Sequence, residues 1–126
     1  MRKSIVLAAV FLMVPAAASA QSMNAEAFHK RATALTKKGA MAVFSPGEIK
    51  ALMSEGKAAG QRSRELRLAA VKSGSRPRYC PPEGPQSMTS TEFMKHLSAI
   101  PQAERQKIDM TEATTRVLAV KFPCKG

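Results

Sequence analysis

Tryptophan is absent, tyrosine occurs once, and aromatic residues make up only 5% of the 126-residue chain. Single-stranded nucleic acid is held largely by stacking on aromatic rings, so this scarcity argues against a nucleic-acid partner despite the basic composition. The sequence also lacks the short motifs of catalysis: there is no HExxH, no GxSxG, no phosphate loop and no Cys/His cluster at metal-ligand spacing. Its 9 acidic residues are scattered, and no pair is placed to divide acid and base roles. Methionines are spread singly among apolar positions, which reads as core filling rather than a thioether copper site, and His29 and His96 sit in no ligand pattern. No catalysis, cofactor or metal is expected. Strand signals are almost missing as well, so an all-α fold is expected.

Apolar runs are confined to the beginning of the chain. Met1-Arg2-Lys3 is a positive leader, Ser4 to Ala17 is apolar but too short for a permanent span, and Ala18-Ser19-Ala20 supplies small residues for cleavage. Residues 1–20 therefore read as a signal peptide, with Gln21 as the mature start and residues 21–126 as one helical domain. No cysteine stands at the cleavage site to take a lipid. The protein is expected to be exported and periplasmic, where thiols oxidise. Only two cysteines exist, so Cys80 and Cys124 are expected to pair. Closing a loop of about 45 residues restricts the unfolded chain by about 4 kcal/mol in the chain-entropy treatment. A reactive thiol would need a nearby base, and neither histidine lies in a catalytic context.

Setting aside Arg2 and Lys3, 18 basic residues face 9 acidic ones, a net of +9. Such a charge draws in anions and acidic surfaces. It is densest from Lys57 to Arg78, where Lys57, Arg62, Arg64, Arg67, Lys72, Arg76 and Arg78 face the single acid Glu65. These seven form the candidate binding patch, although Arg62, Arg64 and Arg67 cannot share one helix face.

Helix signals divide the rest. Asn24 is a candidate N-cap, Phe28, Ala32 and Leu35 form a stripe, and Lys37-Lys38-Gly39 ends that helix, with His29 on its surface. Ser45-Pro46-Gly47-Glu48 reads as a capping box opening a long helix to about Lys72, with Ile49, Leu52, Met53, Ala59 and Leu66 on its apolar face. Gly56 and Gly60 lie four apart inside it, so a tight crossing with another helix of the chain is expected, ahead of an oligomer contact. A rigid loop with four prolines follows from Gly74 to Ser87. Thr89 to Glu92 caps a third helix, with Phe93, Leu97 and Ile100 inward and His96 beside that stripe. A short helical turn falls within 102–107. Asp109 caps the last helix, with Ala113, Val117 and Val120 facing the core.

The turn Tyr79-Cys80-Pro81, a capped helix some ten residues later, and a terminal helix closing in Phe122-Pro123-Cys124 together resemble the C-terminal half of the Rap and Tai group of small exported immunity proteins. The resemblance covers residues 76 to 125. It implies an all-helical, periplasmic and often dimeric protein that neutralises a peptidoglycan amidase toxin of type VI secretion by plugging its active site. Of the residues, it carries over only Cys80 and Cys124. The expected architecture is a small bundle of about four helices with one disulfide, acting as a non-catalytic binding module with an acidic protein partner and a homodimer as one expected state. The alternative is a cationic envelope protein that docks on anionic lipid or lipopolysaccharide through residues 57–78.

Overall fold

A computed structural model describes residues 22–125; the expected signal peptide of residues 1–20, the expected mature start at Gln21, and Gly126 lie outside the described residues. The chain is all-α. Among the described residues five α-helices run in the order α1 (Ala25–Lys38), α2 (Pro46–Lys72), α3 (Ser90–Ala99), α4 (Gln102–Arg105) and α5 (Met110–Lys121), and a 3-10 segment (Gly39–Phe44) joins the first two.

Local chemistry sets most of these boundaries. The Asn24 side chain accepts hydrogen bonds from the backbone N–H groups of Glu26 and Ala27, satisfying two of the donors that a helix start leaves free. Gly39 ends α1 at a positive φ of 54°, a conformation that costs a residue with a Cβ. Thr89 and Asp109 cap α3 and α5 in the same way through the N–H groups of Glu92 and Glu112.

The expected box at Ser45 does not close. Pro46 opens α2 as anticipated, but Ser45 makes no side-chain cap and instead accepts a hydrogen bond from Lys38 Nζ at 3.1 Å. Glu48 turns away to α1, where Arg31 grips both carboxylate oxygens at 2.6 and 2.7 Å. A two-point charged contact between helices outweighs one local cap.

The core gathers Ala25 and Phe28 of α1, Leu52 and Ala59 of α2, Leu97 of α3, Ile100, and Met110, Ala113 and Val117 of α5. The apolar stripes of α1, α3 and α5 are thus read correctly at most positions. Corrections concern α2 and α5: Ile49, Met53, Leu66 and Val120 are 37, 66, 61 and 65% exposed, so they lie outside the core. On α2 the inward line runs instead through Leu52, Ala59 and Ser63. Ser63 is admitted because its hydroxyl donates to the Thr111 carbonyl at 3.1 Å and accepts from Thr115 Oγ1 at 3.0 Å.

Lengths shape what remains open. At 1.5 Å per residue α2 is about 40 Å long and α5 about 18 Å, so α5 covers less than half of its neighbour. The pairing of α5 with α2 is centred on Arg62, Ser63, Thr111 and Thr115. The first three turns of α2 project past α5 towards α1 and α3. Cys80 and Cys124 form the disulfide with Cα atoms 4.9 Å apart, joining the loop after α2 to the tail after α5.

Candidate functional site

The projecting part of α2 forms one wall of an apolar groove of about 640 Å³. Phe28, Ala32 and Leu35 of α1 form the facing wall, and Met88, Phe93 and Met94 close the end near α3. On the α2 side stand Ile49, Leu52, Met53, Gly56 and Lys57. Its floor is firm: Phe28 and Leu52 are each 6% exposed, and the Phe28 and Phe93 rings meet edge to face at 6.2 Å. Its rim is soft, with three unbranched methionines that can repack around a guest.

Apolar surface continues beyond the groove. The 3-10 segment joining its two walls carries Met41, Val43 and Phe44 at 62, 69 and 76% exposure. Ile49 and Met53 of the groove wall are themselves 37 and 66% exposed, so large apolar side chains stand open both on this wall and on the segment before it.

Gly56 belongs to this wall, and Gly60 follows about one turn later on α2, beyond the groove lining. The structure contradicts a tight internal crossing at Gly56 and Gly60, because no atom of the fold comes within 4 Å of a Cβ built at either position. Gly56 faces the groove.

Charge is distributed in a way that composition conceals. Arginine is largely engaged inside the fold. Arg105 is buried and donates to Glu26 Oε2 at 2.6 Å, and to the carbonyls of Ser98 and Ile100. Arg62 donates to Thr111 Oγ1 at 2.7 Å, Ser22 Oγ at 3.0 Å and Glu55 Oε1 at 3.1 Å, clamping the incoming chain to α2 and α5. Arg67 lies over the buried Tyr79 ring, its guanidinium 5.3 Å from the ring centre. Arg78 pairs with Glu112, which Arg116 also approaches at 3.1 Å. These hydrogen bonds, that of Arg78 foremost, hold the Glu112 carboxyl below the usual carboxylate range against the opposing effect of burial.

Of the seven residues in the basic segment, Arg62, Arg67 and Arg78 are therefore occupied by internal partners. Lys57, Arg64, Lys72 and Arg76 are exposed and take no part in an ion pair among the described residues. Of these four only Lys57 lines the groove. Neither the groove nor the capture of Arg62 by Ser22 was visible in the sequence. A signal for the groove was present, in the two helix-interior glycines beside exposed Met53, but it reads equally well as an internal crossing.

The two histidines do not come together. His29 shares a 2.9 Å hydrogen bond with Ser98 Oγ, and desolvation, then the nearby Arg105 charge, lower its pKa against a smaller opposing pull from Glu26. His96 is half-buried on α3. Among the described residues no three His, Cys, Asp or Glu side chains cluster as a metal site, and no helix is long and apolar enough to cross a membrane. No family model, curated protein or solved structure matches the chain.

Proposed function

We propose that the chain is an exported, periplasmic protein-binding module of the immunity type, non-catalytic, whose partner is an acidic protein. The observation that carries this reading is the methionine-rimmed apolar groove lined in part by Lys57, with Met41, Val43 and Phe44 exposed on the segment that joins α1 to α2. Apolar area supplies affinity at such a face, while unpaired cations around it steer an acidic partner and reject a basic one. The Cys80–Cys124 disulfide accords with export. The resemblance of residues 76 to 125 to the Rap and Tai group points the same way.

A second reading is favoured by one observation of its own. Arg64, Lys72 and Arg76 are exposed and unpaired towards the end of α2 and just beyond it. In that reading the 57–78 segment docks on anionic lipid or lipopolysaccharide, with about 1 kcal/mol of attraction per cation near the surface.

One experiment separates the two. Oxidised residues 21–126 are offered to periplasmic extract and to anionic vesicles, at low and at physiological salt, alongside an Arg64→Gln/Lys72→Gln/Arg76→Gln variant. Among the described residues these three cations make no side-chain hydrogen bond or ion pair and are exposed, so the variant is expected to fold. A single stoichiometric protein retained at physiological salt is the expected result. Vesicle binding that disappears with salt and with the variant, and no protein partner, would sink the first reading in favour of the second.

A further inference from the structure

The α2 wall of the groove, continued by about one turn to Gly60 beyond the lining, has the pattern of a helix-packing seam. Ile49, Met53, Gly56 and Gly60 recur at intervals of four, three and four residues, the spacing that keeps one line of a helix against another helix. Both glycines have ordinary helical φ values and open space where a Cβ would stand, so nothing within the described residues uses their smallness. Glycine is the least favourable residue short of proline in a helix interior, and what it offers in exchange is close backbone approach.

Charge flanks this seam in register. Lys50, Lys57 and Arg64 follow one another at seven-residue intervals, so they share one line of α2 beside the seam. All three are exposed and take no part in an ion pair among the described residues. In a helix pair, residues beside the seam meet the flanking residues of the partner and select their sign. A second copy of this chain would bring the same cations to the interface, and the net charge of +9 left once Arg2 and Lys3 are set aside makes that pairing repulsive.

Resting on the binding-module reading above, we propose that the groove receives an amphipathic helix of the partner protein. Its apolar face lies among Phe28, Met53, Met88 and Met94, its backbone comes against Gly56 and Gly60, and its carboxylates face Lys50, Lys57 and Arg64. From Ile49 to Gly60 the seam is about 18 Å long, which engages about three turns of the incoming helix. The adaptable thioethers let its large side chains settle without a preformed pocket for each.

The test uses oxidised residues 21–126 with labelled methionine methyls and a synthetic amphipathic peptide of about 20 residues, Leu on one face and Glu beside it. A charge-reversed twin carries Lys for Glu. Expected are saturable shifts of the Met53, Met88 and Met94 methyls with the Glu peptide and binding weaker by at least about tenfold for the Lys twin. A similar loss is expected for Gly56→Leu/Gly60→Leu, while Leu66→Ala binds as the parent does. Absence of these shifts with the Glu peptide, equal binding of the twin, or full binding by the glycine variant overturns the proposal. Groove methyls that shift with protein concentration alone assign the groove to a second copy, and saturation by oleate in preference to the peptide assigns it to an anionic amphiphile. Either result also overturns it. If extract yields a partner that the glycine variant retains, the groove assignment fails while the binding-module reading stands; if extract yields none, that reading fails, and the peptide result is judged separately.

Discussion

Replacing Gly56 and Gly60 by alanine should make the protein more stable while weakening its binding. Both positions lie inside α2 with ordinary helical φ, and an added methyl would meet nothing within 4 Å. The substitution therefore changes helix propensity and unfolded-chain entropy with no packing gain or clash. Each contributes about 1 kcal/mol at an interior helix position, so the double variant should gain about 2 kcal/mol. In a domain of this size that corresponds to a rise in Tm of about 4–8 °C per kcal/mol. Urea melts of parent, single and double variants, fitted to a common m-value, read the change directly. Gly74→Ala provides the opposite control: its φ of 79° lies in the left-handed region, and a Cβ there should cost about 1 kcal/mol or more. A Gly56→Ala/Gly60→Ala protein that is no more stable than the parent would refute the reasoning, because it would show that the fold itself needs these glycines.

Other perturbations probe the rest of the scaffold. Arg105→Ala leaves the Glu26 carboxylate buried without its partner and should destabilise by about 3–5 kcal/mol in denaturant melts, the cost of one orphaned member of a buried pair. Cys80→Ser/Cys124→Ser should cost about 4 kcal/mol, and an unchanged urea midpoint would contradict that. The pKa of His29 is lowered from its usual 6.5 by burial and then by Arg105, so the fold favours the neutral ring. That contribution is present above about pH 6.5 and is lost as pH falls towards and through the folded pKa, so His29→Gln should flatten this part of the stability profile. The Glu112 carboxyl is held below 4.5 first by its hydrogen bond from Arg78. Its contribution is present above pH 4.5 and vanishes as pH falls through the lower folded value; Arg78→Gln should shrink this acid-dependent loss.

The sequence made α1, α3 and α5 legible because their signals are local. Asn24, Thr89 and Asp109 each cap within three residues, and the stripes of Phe28, Leu97 and Val117 follow the helical period. The cysteine pair was legible by count. What failed were positions decided by partners distant in the chain. Ser45 and Glu48 fit a capping box, yet Arg31, 17 residues before Glu48, draws the carboxylate away. Leu66 and Val120 fit apolar stripes, but the fold leaves them 61 and 65% exposed. Glu26 looked like an ordinary first-turn acid, although it forms a buried pair with a residue 79 positions on. Composition likewise gave the excess of basic residues without revealing that Arg62, Arg67 and Arg78 are engaged internally. The groove was hidden for a related reason: α1, α2 and the start of α3, which line it, lie far apart in the chain.

The most direct test of the account compares two variants against the partner recovered from extract, at physiological salt. Gly56→Leu/Gly60→Leu alters the groove, and Arg64→Gln/Lys72→Gln/Arg76→Gln alters the basic end of α2 and the loop beyond it. The account predicts that Kd rises by at least about tenfold for the groove variant and by only a few-fold for the basic one. Equal affinity of the groove variant and the parent, with binding lost in the basic variant, would contradict it and move the binding surface to the end of α2.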